Sequence, residues 1–241
     1  DNSLFKNYSY HNEFVENLLR NYTYLNSGLT IMYNGRRIVA RNGLVDLLKD
    51  KMDNDELYEI VHLKGEDIEI AFTHAKQNGE EYYSFVNGQY TPLGGTHQAA
   101  FKEHIGRTIK DFFGKNWEPV DIRNGMVAAI ALNVQEPQFE SQTKIKLGSL
   151  TMEPEGGVSV NKYVCDFIKT EVDNYMHRTP AIVEAMQQKI SESEHERKAM
   201  AGIAKLARER AKKANLHNSK LRDCHIHLND AKGDRKEESC I

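Results

Sequence analysis

The stretch Phe139-Glu140-Ser141-Gln142-Thr143-Lys144-Ile145-Lys146-Leu147-Gly148-Ser149 places a carboxamide and an ammonium two residues apart in polar surroundings. An ammonium is a point charge suited to a terminal phosphate, and an amide beside it adds a further polar contact. The stretch therefore can meet an incoming anion. Equally, Lys144 and Lys146 can simply solvate a surface loop, and three-residue strings recur too often by chance to decide between the two. A second concentration of charge runs from Arg197 to Arg222, with nine basic residues (Arg197, Lys198, Lys205, Arg208, Arg210, Lys212, Lys213, Lys220, Arg222) against one acid, Glu209. Clustered cations suit a nucleic-acid backbone because binding releases condensed counterions. A solvated helix face is the alternative, since Lys and Arg also favour helix. Cys224-His225-Ile226-His227 with Cys240 offers soft ligands without paired CxxC spacing, so no metal site is assigned. His97 has no nucleophile or carboxylate beside it and reads as a first-turn helix residue, not a base. Trp117, Tyr82, Tyr83 and Tyr90 read as core or sheet surface.

These groups sit in a chain of 241 residues, 39% hydrophobic and 28% charged, with a formal net charge of -3. That length can bury a core, and no apolar run approaches membrane-spanning length, so no membrane partner is expected. The net acidity hides the basic segment, and such asymmetry points to a polyanion at one end of the molecule. Three scattered cysteines, Cys165, Cys224 and Cys240, fit reduced thiols in the cytoplasm better than a disulfide framework. No starting Met or basic-plus-apolar leader is present, and the sequence reads as an internal piece of a longer polypeptide.

The elements that must position the candidate residues follow from periodicity. His11 to Leu25 carries Phe14, Val15, Leu18, Leu19 and Tyr22 at helical spacing, with Gly28 as the expected stop. Leu29 to Tyr33 and Ile38 to Ala40 read as strands joined by Asn34-Gly35, a pair that tolerates the positive φ of a tight turn. A short helix over Leu44, Val45, Leu47, Leu48 and Met52 precedes a β region. There Ile68, Ile70 and Phe72 share a face, and Asn78-Gly79 and Asn87-Gly88 punctuate an antiparallel meander. Thr96 is the expected cap of a helix with Phe101, Ile105, Ile109 and Phe112 on one stripe, ending at Gly114. An apolar strand spans Met126 to Val134, and Gln135 to Gly148 is a loop. Val160, Val164, Phe167, Ile168 and Tyr175 mark the next helix. After Thr179-Pro180 a long helix runs from about Ala181 to Ala214, apolar on one stripe at first and then basic. The fold class is α/β (α+β): a two-layer sandwich with a mixed sheet backed by helices, followed by a long projecting helix.

Gly94-Gly95-Thr96-His97 leading a helix, Asp121-Ile122-Arg123-Asn124-Gly125 opening a strand, the Gln142-Thr143-Lys144 loop and Lys220-Leu221-Arg222-Asp223-Cys224 occur in one order and spacing. In this the chain resembles the ATP-using B subunits of bacterial type IIA DNA topoisomerases, DNA gyrase and topoisomerase IV. The resemblance covers essentially the whole chain, because Leu19-Arg20 to Gly28 looks like the final helix and strand of that family's ATPase domain. Two departures, Asn124 in place of an acid and His217-Asn218-Ser219 in place of a Pro-Gly pair, blur the choice between the two enzymes, with a slight lean to topoisomerase IV.

The resemblance implies that Gln142 and Lys144 reach from a transducer domain to the γ-phosphate of ATP held by the preceding domain, and that Lys144 has a catalytic part in stabilising the transferring group. It implies domains at 1–36 (end of the ATPase domain), 37–179 (transducer), 180–215 (basic helix) and 216–241 (linker into a metal-binding cleavage domain). Double-stranded DNA, a cleaving A subunit and a second copy joined through the ATP-bound ATPase domain are the implied partners. ATP and Mg belong to the intact enzyme; this chain alone is expected to bind neither, to hydrolyse no ATP and to hold no metal. Arg197, Lys198, Lys205, Arg208, Arg210, Lys212 and Lys213 are the DNA-contact candidates. The rivals are a mismatch-repair or chaperone relative with a similar second domain, and a DNA-binding or dimerisation module without nucleotide sensing.

Overall fold

The computed structural model describes residues 8–52, 55–154 and 156–216 together with Leu4 and Lys6, with side chains up to residue 211. Helix α1 spans Asn12–Leu25. Its apolar stripe faces outward: Phe14, Leu18 and Tyr22 are exposed, while Thr23 and Tyr24 are buried. Asn26 closes it before Gly28 is reached, because the Asn26 backbone N–H and its Nδ2 both donate to the Tyr22 carbonyl. Gly28, at φ 85°, instead turns the chain into β1 (Thr30–Tyr33). β1 pairs antiparallel with β2 (Arg36–Val39) around Asn34 and Gly35, at φ 49° and 75°, the doubly positive geometry that Asn-Gly supplies most easily. Helix α2 (Leu44–Met52) follows.

Five strands, β3 (Val61–Lys64), β4 (Ile68–His74), β5 (Glu80–Val86), β6 (Gln89–Tyr90) and β7 (Met126–Leu132), form one mixed sheet in the order β3-β4-β7-β5-β6. The expected meander is therefore split. β4 and β5 do not pair; β7 lies between them, antiparallel to β4 and parallel to β5. Two local causes are visible. β7 is apolar on both faces, Met-Val-Ala-Ala-Ile-Ala-Leu, which suits a central strand covered on both sides. Gly125 enters between the strand ends, its carbonyl accepting from Ala75 N–H at 2.8 Å and its N–H donating to the Gly79 carbonyl at 2.6 Å. At φ 82° a Cβ here would stand 2.8 Å from the Ala75 carbonyl oxygen, so glycine is required. Asn87-Gly88 does form a true hairpin, between β5 and β6. β3 escaped sequence reading because it is only four residues long and alternates buried Val61 and Leu63 with exposed His62 and Lys64.

Helices α3 (Thr96–Phe113) and α4 (Pro119–Arg123) lie between β6 and β7, so Asp121 to Arg123 are helical and do not open the strand. Pro119, already in its fixed φ, starts that short turn. Helix α5 (Val160–Arg178) follows the loop, and Pro180 begins α6 (Pro180–Leu216). One sheet face, through Ile68, Ile70, Phe72, Ile130 and Leu132, packs against Phe101, Ile105 and Ile109 of α3, Val164, Ile168 and Val172 of α5, and Ile182, Met186 and Ile190 of α6. The other face, through Ala71, Tyr83, Phe85, Val127 and Ala129, packs against Leu44, Leu47, Leu48 and Met52 of α2 and Tyr24 of α1. The chain divides into two compact units within α6, between Glu194 and His195. In the second, every side chain from Lys198 to Ala211 is exposed, including Met200, Ile203 and Leu206.

Candidate functional site

Residues 133–149 form an anchored loop. At its entrance the Asn87 carboxamide acts like one rung of a strand, accepting from Val134 N–H and donating to the Val134 carbonyl, both at 2.8 Å. The limbs close on each other through Gly148 N–H to the Gln138 carbonyl (2.8 Å), Gln138 N–H to Ser149 Oγ (2.7 Å) and Glu140 N–H to the Lys146 carbonyl (3.1 Å). The returning limb lies along the segment that leads into α3 and meets its first residue. Leu93 N–H donates to the Ile145 carbonyl (3.1 Å), Leu147 N–H to the Gly94 carbonyl (3.0 Å) and Thr96 N–H to the Leu147 carbonyl (3.2 Å).

The Gly94-Gly95 pair makes this approach possible. Gly95, at φ 137°, would put a Cβ 2.4 Å from the Leu147 carbonyl oxygen, and Gly94, at φ 70°, would put one 2.2 Å from Gln98 Oε1. The first contact involves backbone and cannot give way. Thr96 is not the side-chain cap expected of it: Gly95 occupies the cap position, and Thr96 Oγ1 donates to the Ser149 carbonyl at 2.7 Å. The loop itself thus satisfies part of the first turn of α3.

The tip is a turn in which Lys144 N–H donates to the Ser141 carbonyl at 3.0 Å, with Ser141 Oγ and Thr143 Oγ1 2.7 Å apart. Gln142, Thr143 and Lys144 are all exposed on it. The fold therefore brings Gln142 and Lys144 together on one anchored projection. Lys144 adopts φ 56°, which is uncommon outside glycine. Its ammonium makes no ion pair among the described residues and lies 5.9 Å from the Phe139 ring. Lys146, two residues on, is neutralised by Glu140 Oε1 at 2.8 Å. Motif reading did not reveal the supporting residues Asn87, Gly95, Leu147 and Ser149; the adjacent glycines were the available signal.

Beneath the anchor, His97 is fully buried, and burial holds its imidazole at a pKa of about 4, so it is neutral at pH 7. Its Nε2 lies 3.5 Å from Thr91 Oγ1 and its Nδ1 has no hydrogen-bond partner among the described residues. His74 is likewise buried and lowered to about 4, chiefly by burial. Its Nε2 pairs with the Ile122 carbonyl at 2.7 Å and its Nδ1 with the Tyr58 hydroxyl at 2.5 Å, so both ring nitrogens are satisfied. Asn124, which stands where an acid was expected, accepts from Gly79 N–H at 2.9 Å and donates to Ser193 Oγ of α6 at 3.0 Å.

A family model for DNA gyrase B matches residues 12–205. The chain belongs to the DNA gyrase B family. It is 38% identical to the B subunit of DNA topoisomerase 4 from Borreliella burgdorferi over 96% of its own length and 37% of that protein's. It is 29% identical to the B subunit of DNA gyrase from Thermotoga maritima over 93% of its length and 38% of that protein's. The chain thus spans little more than a third of these two relatives. Among solved structures it resembles the 43K ATPase domain of Thermus thermophilus gyrase B in complex with an aminocoumarin, with a TM-score of 0.67 at 22% identity over 86% of this chain and 59% of that one. The topoisomerase IV ATP-binding domain of Francisella tularensis in complex with a small-molecule inhibitor gives 0.63 at 21%, over 82% and 57%. At these identities the likeness is one of fold.

The second candidate surface of this gyrase B family chain is the basic part of α6. Lys198, Lys205, Arg208 and Arg210 are exposed and Arg197 is half-buried. Lys212 and Lys213 continue the helix as backbone, while Lys220, Arg222, the Lys-Leu-Arg-Asp-Cys run and Cys224, His225, His227 and Cys240 lie outside the described residues. Trp117 and Tyr83 are buried, and Cys165 is a half-buried free thiol. Among the described residues no three His, Cys, Asp or Glu side chains group as a metal site, and no helix is long and apolar enough to cross a membrane.

Proposed function

We propose that this chain is the transducer segment of a type IIA DNA topoisomerase B subunit, nearer topoisomerase IV than gyrase, coupling ATP binding and hydrolysis to DNA strand passage. The observation that carries the reading is the contrast at the loop tip: Lys146 is neutralised by Glu140, whereas exposed Lys144 has no ion pair among the described residues and is held at φ 56°. A left-handed backbone costs roughly 1–2 kcal/mol outside glycine, and such strain gathers at ligand contacts. Lys144 and Gln142 would meet the γ-phosphate of ATP bound in the preceding domain. ADP lacks that phosphate, so the contact stabilises one nucleotide state only, as a switch requires. A charge-assisted hydrogen bond contributes about 1.5–3 kcal/mol, a shift of about ten- to a hundredfold in the closed population. Lys144 also opposes charge developing on the transferring phosphoryl group.

In this reading residues 1–36 complete the ATPase domain, 37–179 are the transducer, 180–215 the basic helix and 216–241 the approach to the cleavage domain. The outward apolar stripe of α1, Phe14, Leu18 and Tyr22, supports the first assignment, because a neighbouring domain of the same polypeptide would cover it. The preference for topoisomerase IV rests on 38% identity against 29%. ATP and Mg, a second copy of the ATP-using subunit, the A subunit and duplex DNA in the cytoplasm complete the enzyme, with Arg197, Lys198, Lys205, Arg208, Arg210, Lys212 and Lys213 as the DNA-facing cations. Exposed Met200, Ile203 and Leu206 beside those cations favour a second reading, a DNA-binding or dimerisation module without nucleotide sensing. DNA-stimulated ATP hydrolysis by the full-length protein with its A partner, with and without Lys144→Ala, separates the two. Lost turnover at unchanged Tm is expected. Equal turnover would overturn the switch and leave the second reading, with salt-sensitive DNA binding indifferent to Gln142 and Lys144.

A further inference from the structure

The loop that carries the tip is hydrogen-bonded to the start of α3. Gln142 and Lys144 stand on a turn whose returning limb is fastened to the segment leading into α3 by the Leu93 and Leu147 backbone bonds, and to the first residue of α3 by Thr96 N–H to the Leu147 carbonyl and Thr96 Oγ1 to the Ser149 carbonyl at 2.7 Å. The backbone bonds belong to the chain path. The hydroxyl bond is the strut that a side chain supplies, and it joins the helix to the loop across 53 positions of sequence. At the other side α3 packs along α5: His104 Nε2 lies 3.0 Å from Asn161 Oδ1, and the Phe112 ring meets His177 edge-on at 4.9 Å between centroids. α5 passes through Thr179, whose Oγ1 bonds the Tyr175 carbonyl at 2.8 Å and whose carbonyl accepts from Ile182 and Val183, directly into α6.

We propose that Thr96 is a positioning residue that ties the Gln142–Lys144 tip to α3, so that nucleotide contact at the tip moves α3 and α5 and thereby the start of α6. This rests on the nucleotide-switch reading above. Without the hydroxyl, the Ser149 carbonyl loses its partner on α3 and the tip can engage phosphate while α3 stays behind. Turnover then continues with less of it converted into strand passage.

The test uses the full-length protein reconstituted with its A subunit, measuring ATP hydrolysed per strand-passage event, and kcat and KM for ATP, in Thr96→Val, Thr96→Ala and Thr96→Ser. Loss of one neutral hydrogen bond predicts that ATP consumed per event rises about two- to tenfold in the Val and Ala variants. Ser, which keeps the hydroxyl, restores the wild-type ratio. A purely structural role would lower Tm and reduce both activities in proportion, leaving the ratio unchanged, and that result overturns the proposal; Ala serves if Val fails to fold. Lys144→Ala in the same assay separates the two failures. If it leaves turnover intact, the nucleotide reading itself falls; if it abolishes turnover while the Thr96 variants keep the wild-type ratio, only the role of Thr96 falls.

Discussion

The two lysine-bearing candidate regions of this chain are built on opposite terms. The loop over residues 133–149 bonds across its own limbs and to the segment leading into α3, pairs Lys146 with Glu140, and leaves Gln142 and Lys144 exposed at its tip. The helix beyond His195 carries many cations on a regular rod whose side chains are exposed from Lys198 to Ala211. A single ammonium distinguishes ATP from ADP only if its position is fixed to within a hydrogen bond. A run of cations meeting a duplex needs only density of charge, because the phosphate backbone presents the same charge at every step. On the proposed reading, position matters in the first region and number in the second.

Substitutions can break or sharpen this contrast. The largest effect is expected at the tip: Lys144→Ala and Lys144→Gly should each reduce ATP turnover of the full-length enzyme by about ten- to a hundredfold, the worth of one charge-assisted contact. Glycine should at the same time raise stability by up to about 1 kcal/mol by relieving the positive φ, seen as a higher Tm. Equal turnover in wild type and both variants would erase the distinction between tip and helix.

Acid should act next, and on the first unit. His74 and His97 are held at a pKa of about 4 in the folded chain, against about 6.5 unfolded. Between those values the unfolded chain takes up protons that the folded chain refuses, so stability falls as pH drops from 6.5 towards 4, by up to about 1.4 kcal/mol per unit for each histidine. Above pH 6.5 the two contribute no slope. Urea unfolding followed by the single tryptophan, buried Trp117, at pH 7 and pH 5 measures this, and His97→Gln should flatten the dependence.

The helix should respond by count. Replacing Lys205, Arg208 and Arg210 together with Gln should lower the slope of log K against log salt for duplex DNA by about 2–3, at about 0.9 per phosphate contact, while ATP turnover without DNA holds. An unchanged slope would remove the helix as a DNA surface. Smallest of all is Lys146→Ala, where loss of a largely exposed pair costs about 0.2–1 kcal/mol in stability and leaves turnover alone.

Sequence was most informative where structure is local. The stripe of α3 placed that helix to within a residue, the apolar residues from Val160 to Tyr175 marked α5, and Asn34-Gly35 and Asn87-Gly88 were turns as read. Asn78-Gly79 looked the same but joins strands that do not pair, because the insertion of Gly125 between them depends on residues almost fifty positions away. Thr96 likewise has the composition of a cap, yet its hydroxyl is taken by the Ser149 carbonyl, which no local pattern could announce. Gln142 and Lys144 were legible as a motif. Their support was not, because it arises where Gly95 and Leu147 meet across the fold.

The central strand of the sheet is also the last of its five strands to be made. Until residues 126–132 have left the ribosome, the facing edges of β4 and β5 lack the strand that pairs with both. Synthesis at about 5–20 residues per second leaves those edges bare for several seconds while α3 and α4 are made. Arrival of the Ala-rich β7 supplies the partner for both edges in one step.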